Sequence, residues 1–275
     1  LSTMGGSAAS LFVKNKIVAA VEEERLSRIK NDDSFPILSI KECCRIANLD
    51  FSEIDVVNIY WKPWKIKGRA LGVLKKLLYS EFSRKNIIKK LKQHFFKNNN
   101  LDIENRGSWI ELFNVKKILK KEFGTSKFKL NYYDHHLTHM VYAENIYKWN
   151  NSIVLSYDGG GEELSTVLSV RKNGILKEIK KTKWPNSLGH FYSFFTGYLG
   201  FKMLEGEYKM MGLAPYGKPV YSEVLLKKII KIENDGNYNI DLALCDYHSA
   251  LSGNFNSELL EFLPRNLKRN EKPSK

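Results

Sequence analysis

The sequence predicts a mixed α/β fold, and three observations carry that expectation. Short apolar runs of strand length alternate with stretches of helical period. A triple glycine and an Asn-Gly pair join three of those runs in succession, as tight strand connections would. The 275 residues are 43% hydrophobic and 12% aromatic, enough to bury a substantial core in one or two domains.

The elements follow in order. Residues 8–13 and 17–21 are apolar and flank Lys14-Asn15-Lys16, a hairpin turning at Asn15. Glu22-Glu23-Glu24-Arg25 then leads into a polar segment ending at Pro36. Ile40, Cys43, Cys44 and Ile46 recur at helical spacing over 39–47, with Asn48 as the stop, and 54–60 reads as a strand. Between Lys62 and Lys97 stand 12 Lys or Arg against a single acid, Glu81. Apolar Leu71-Gly72-Val73-Leu74 inside that block makes it a basic amphipathic insertion, about 62–100, rather than a naked tail. A solvated helical surface is its first reading; an anion-binding surface and a membrane-surface helix are the others. Residues 115–123 are helical with Gly124 as C-cap, and 128–133 form a strand. Strand 152–157 turns through glycines into 164–171, and Lys172-Asn173-Gly174 into 175–180. A helix over 222–232 follows, and 265–275 reads as a frayed tail.

Chemistry concentrates in Asp134-His135-His136-Leu137-Thr138-His139 and, 19 residues after His139, Asp158-Gly159-Gly160-Gly161-Glu162. On a helix His135 and His139 share one face a turn apart, close enough to hold one ion. Asp158, ending a strand, supplies a third ligand. Two nitrogens and one carboxylate oxygen suit Fe, Mn or Zn. Gly159, Gly160 and Gly161 let backbone N–H groups approach a phosphate or carboxylate. The bland reading of the same residues is helix-surface histidines beside an ordinary turn. From Ser187 to Gly217 six glycines alternate with aromatics over 31 residues, which suggests tight turns around a ligand. Glu205, Glu207, Lys209 and Gly212 within it are candidates for holding a nucleotide or an activated intermediate. The competing reading is a buried, glycine-rich helix-packing segment whose charges reach the surface.

Other classes recede. No stretch approaches the length of a transmembrane helix, and the first residues lack the pattern of a secretory leader. Three cysteines, two of them adjacent, form neither a disulfide framework nor a metal spacing, so a reducing cytoplasm is expected. The net charge of +14 raises nucleic-acid binding, but no recognition motif accompanies it.

The motifs Val21-Glu22-Glu23-Glu24-Arg25-Leu26-Ser27-Arg28-Ile29-Lys30, Asp134 to His139, Asp158 to Glu162, and Ser187 through Gly217 occur in that order. Together they resemble the O-carbamoyltransferases of nodulation-factor and antibiotic biosynthesis. The resemblance implies an actin-like, ribonuclease-H-type fold: a mixed sheet with flanking helices over 1–219, and the start of an incomplete second lobe, or a tail, over 220–275. It implies a metal, usually iron, on His135, His139 and Asp158. It implies ATP and carbamoyl phosphate as precursors of a carbamoyl-adenylate made in a separate C-terminal domain. The actin-like part then passes the carbamoyl group to a hydroxyl of a sugar or secondary metabolite. Nucleotide contacts would fall on Gly159, Gly160, Gly161, Glu207, Lys209 and Gly212. His136 is expected to be structural, with direct participation as the alternative. The family's opening Gly-His-Asp segment corresponds here to Met4-Gly5-Gly6-Ser7, without His or Asp, and its members are longer. The expected partners are therefore a separate activating domain or a second copy of the chain. A non-catalytic metal- or nucleotide-binding module is the alternative function.

Overall fold

The computed structural model describes residues 1–3, 6–66, 109–147, 149–247, 255 and 257–263. They form two compact units. The first takes the described residues from Leu1 to Ile66 and from Trp109 to Thr138; the second takes those from His139 onward. Both combine strands and helices, as the sequence predicts.

In the first unit β1 (Ala8–Val13) and β2 (Lys16–Glu22) form an antiparallel hairpin. Lys14 and Asn15 both take positive φ, 50° and 63°, the twist a two-residue hairpin turn requires. The acidic run that leads into the polar segment forms the short helix α1 (Glu23–Ser27). Helix α2 (Ile37–Ala47) packs on the hairpin, burying Ile40, Cys43 and Cys44 with Ala9 and Ala19. Asn48 ends it in the left-handed conformation, φ 52°.

The start of α2 is unusual. Pro36 sits at the cap position and offers no side-chain acceptor, so the exposed amides need another partner. Glu23 supplies it: its buried carboxylate accepts from Leu38 N at 3.0 Å, Ser39 N at 2.7 Å and Ser39 Oγ at 2.6 Å. A carboxylate at a helix N-terminus also meets the favourable end of the helix dipole.

β3 (Val56–Ile59) pairs in parallel with β4 (Lys129–Tyr132). Before β4 come α3 (Trp109–Phe113) and α4 (Val115–Phe123), the latter ended by Gly124 at φ 72°. Leu112, Val115 and Leu119 are fully buried. Phe51 stacks on Phe123 at 4.1 Å and meets Phe128 edge-on. Helix α5 (His135–Tyr147) follows β4; the boundary between the units falls inside it, after its first turn.

The second unit holds the antiparallel sheet β5 (Ser152–Tyr157), β6 (Leu164–Lys172) and β7 (Ile175–Lys183), in that order. Ser152 pairs with Arg171 and Tyr157 with Thr166, so the glycine turn closes the end of the sheet where Asp158 stands. Asn173 and Gly174, φ 51° and 77°, make the β6–β7 turn. Val154, Ser156, Val167 and Ser169 are buried, and Ser169 Oγ lies 3.1 Å from Met140 Sδ of α5.

Of the two readings of residues 187–217, the helix-packing segment rather than the ligand-enclosing turns is the one found: α6 (Leu188–Tyr198) and α7 (Glu207–Leu213). Their aromatics fill a core. Phe194 and Phe195 pack with Ile229, Ile240, Cys245 and Leu259, and Met203 and Met210 border them. The helix expected over 222–232 stops early: α8 (Ser222–Lys228) gives way to β8 (Ile230–Ile232), paired antiparallel with β9 (Tyr238–Ile240). The switch buries Ile229 and Ile240 together. Helix α9 (Ser257–Phe262) contributes Leu259. Of the basic insertion, Lys62 to Ile66 are described; its remainder and the 265–275 tail lie outside the described residues. Among the described residues no helix is long and apolar enough to cross a membrane, and all three cysteines are buried and form no disulfide.

Glu23→Ala leaves the first amides of α2 unsatisfied in the core. Urea unfolding should show a stability loss of about 2–3 kcal/mol; a change inside experimental error would mean that these contacts are energetically idle.

Candidate metal centre

Because β3 and β4 are parallel, the segments following both leave the pair at the same edge. Lys62 and Lys65, after β3, thereby reach Asp134, after β4: Lys62 Nζ stands 2.5 Å from Oδ2, and Lys65 Nζ bonds Oδ1. Burial opposes ionisation of this carboxyl, but the hydrogen bonds and charges of the two lysines outweigh it and hold the Asp134 pKa below the ordinary value. The Asp134 carbonyl accepts the Thr138 N–H at 3.1 Å, the first turn of α5.

His135 is buried, its ring 5.4 Å from Tyr60 and 5.5 Å from Trp61, the residues that leave β3. Its neighbour His136 is buried as well and meets it edge-to-face at 5.6 Å. His136 thus packs beside a candidate ligand rather than pointing away from its neighbours. One turn on, His139 is half exposed; its Nε2 lies 3.6 Å from Asp158 Oδ2. Strand β5 ends at Tyr157, so Asp158 emerges where the sheet stops, its N–H donating to Ser165 O at 2.9 Å.

His135 stands one turn before His139 on α5, and His139 faces Asp158 within the second unit, so the three residues are a candidate ligand set. Bonds of about 2.0–2.2 Å to a single ion set neighbouring ligand atoms roughly 3–4 Å apart, and the 3.6 Å between His139 and Asp158 falls in that range. Two imidazoles and a carboxylate suit Fe, Mn or Zn.

The carboxylate of Asp158 is oriented: Oδ1 accepts the Gly159 N–H at 2.6 Å, which leaves Oδ2 toward His139. Gly161 N donates to Leu164 O at 2.8 Å, closing the turn. These two glycine amides are thus engaged within the chain itself. Glu207 accepts from Ser193 Oγ at 2.5 Å and Leu204 N at 2.7 Å, holding the approach to α7. Glu205 pairs with Lys202 at 2.6 Å. Lys209 and Gly212 are exposed on α7, with Lys209 Nζ 5.8 Å from the Tyr208 ring.

Residues that the sequence did not single out stand beside Asp158. Ser187, Gly189 and His190, read there as part of a turn, lie against the Asp158–Gly159 backbone. A serine three residues ahead of His190 was the available signal, since Ser187 Oγ caps α6 by accepting His190 N at 3.0 Å. Lys62 and Lys65 gave no local signal for their pairing with Asp134.

Residues 2–267 match the family model described as carbamoyltransferase N-terminus. The chain is 34% identical over 254 residues to uncharacterized protein sll1178 of Synechocystis, which covers 90% of this chain and 38% of that protein. It is 31% identical over 241 residues to nodulation protein NolNO of Sinorhizobium fredii, 87% of this chain and 32% of that one. Nodulation protein NolO of Bradyrhizobium diazoefficiens is 36% identical over 109 residues, 40% of this chain and 20% of its own length. The chain therefore spans about a third of the first two relatives.

The lowered pKa of Asp134 sets a pH dependence. Its ion pairs contribute above the unfolded carboxyl's pKa and are lost as pH falls through the lower folded value. Asp134→Asn should cost at most about 1 kcal/mol near neutrality, given the partial exposure. The gap to the unaltered chain should close in strong acid. Thermal unfolding at several pH values checks this; a pH-independent gap would contradict it.

Proposed function

The chain belongs to the carbamoyltransferase N-terminal family, and from that premise we propose that it is the transferring portion of an O-carbamoyltransferase. The approach of His139 to Asp158, with His135 one turn earlier on the same helix, carries the reading. The substrate is a carbamoyl-adenylate, made from ATP and carbamoyl phosphate by a partner domain that relatives of greater length would have room to contain. The acceptor is a hydroxyl of a sugar or secondary metabolite. In the transfer its oxygen bonds the carbamoyl carbon, the bond from that carbon to the phosphate oxygen breaks, AMP leaves with the electron pair, and the hydroxyl proton passes to solvent or a base. The fold of the whole is actin-like, a reading supported by the three-stranded meander β5–β7 leading into α6.

His135, His139 and Asp158 would hold the metal, whose chemistry when bound is to polarise an oxygen and offset developing negative charge. The chain's own residues orient that set. Tyr60 and Trp61 wall in His135, and Gly159 N–H turns the Asp158 carboxylate toward His139. His139 and Asp158 keep partly exposed side chains, so an ion and a substrate oxygen can reach them.

Elemental analysis of the purified chain tests the centre. Stoichiometric metal is expected, with most of it lost in His139→Ala; equal content in both would sink the site. Transfer of labelled carbamoyl from carbamoyl-adenylate to candidate sugars tests the activity, with a partner domain supplied separately. No transfer by a metal-loaded, folded chain with that partner would favour a binding module instead. Exposed Lys209 on α7 is assigned to the nucleotide phosphate. Lys209→Ala should weaken nucleotide binding roughly tenfold, the value of one charge-assisted hydrogen bond, without changing the unfolding temperature. Unaltered binding in calorimetry would remove it from the site.

A further inference from the structure

The start of α6 lies on the backbone that carries Asp158. A Cβ at Gly189 would stand 2.5 Å from Gly159 N, 2.7 Å from Asp158 C and 2.9 Å from Asp158 O. Those are backbone atoms, so no flexible side chain could yield, and only glycine permits this approach. From the same turn Ser187 Oγ donates to Gly159 O at 2.8 Å, with Asp158 O at 3.1 Å as a second acceptor. His190 Nδ1 also bonds Gly159 O.

A carbonyl can only accept, so the ring nitrogen must carry its proton at Nδ1. The two donors then occupy both lone pairs of the Gly159 carbonyl. His190 lies beside the buried Tyr247, ring centroids 5.3 Å apart, which limits its rotation. Gly159 is thereby gripped at its carbonyl by a serine hydroxyl and an imidazole N–H, and on its N–H side by a contact that excludes any side chain. The same residue supplies the N–H that orients Asp158 Oδ1.

We propose that Ser187, Gly189 and His190 are positioning residues for the candidate metal centre: they fix the backbone of Asp158 and Gly159 on both sides of the Gly159 N–H and so aim the Asp158 carboxylate. The inference rests on the metal reading above and deepens it. Partners that hold a ligand in place are worth roughly 10- to 100-fold in metal affinity.

The test is Co(II) titration of the whole chain, following the visible absorption of the bound ion, with thermal unfolding alongside. Gly189→Ala and His190→Leu should each weaken Co(II) binding roughly 10- to 100-fold and alter the absorption band. His190→Asn, whose amide N–H reaches the place of Nδ1, should restore both toward the unaltered chain. Asp158→Ala should abolish binding. If Gly189→Ala fails to fold, the two His190 variants decide. Binding and spectrum unchanged in His190→Leu, while Asp158→Ala loses the ion, would overturn the positioning role and leave the metal site standing. An unaltered chain that takes up no Co(II) would sink the metal reading itself, and this inference with it.

Discussion

In the second unit the backbone of Gly159 is held from both ends. Its N–H is bound by the Asp158 carboxylate, and its carbonyl by Ser187 and His190. On one side β5 anchors it through the Asp158 N–H to Ser165 O; on the other, Gly189 lets α6 close to backbone contact. Buried backbone polar groups must be paired, and here the pairing also fixes the direction of a side chain. The sheet delivers Asp158 to its end, and the helix start decides where its oxygens point.

The first unit solves the comparable problem with charge. One helix start takes its partner from a carboxylate elsewhere in the sequence, and another begins beside a carboxylate that distant lysines hold. Glu23 reaches from α1 to the amides of α2, where proline occupies the cap position. Asp134, at the threshold of α5, is tied by Lys62 and Lys65 from the neighbouring parallel strand's exit. The pair β3 and β4 therefore does more than bury Val57 and Ile59. It brings the lysines, Tyr60 and Trp61 to the edge from which the histidine helix departs.

Much of this was legible in the sequence wherever the determining contact was local. Lys14-Asn15 and Asn173-Gly174 announced their hairpins because positive φ has a short residue menu. Asn48 and Gly124 marked helix ends for the same reason. The spacing of His135, His139 and Asp158 followed from helical period and strand ends. What was hidden depends on long-range partners. The Ser187-to-Gly217 segment reads as turns because of its glycines, yet Gly189 and Gly206 serve close packing and the aromatics fill a core. Nothing near residue 230 says that α8 must yield to β8; the partner strand β9 and the shared burial of Ile229 and Ile240 decide it. Caps made by Glu23 leave no trace beside Pro36, where a local cap would be sought.

The charge of the chain bears on how the proposed site would recognise its substrate. Twelve cations against one acid between Lys62 and Lys97 give a surplus of eleven, out of fourteen for all 275 residues. The rest of the sequence, including every candidate metal and nucleotide residue, is close to balanced. Several lysines there are locally paired, as Lys180 with Asp235, Lys181 with Glu178, and Lys227 with Glu223. Lys62 and Lys65, the first cations of the basic block, are themselves paired with Asp134. In the proposed reading an adenylate would be held by individually placed groups, a metal on three ligands and the exposed Lys209. Recognition of that kind would depend on geometry within a few ångströms, and so on the fixed backbone at Asp158 and Gly159.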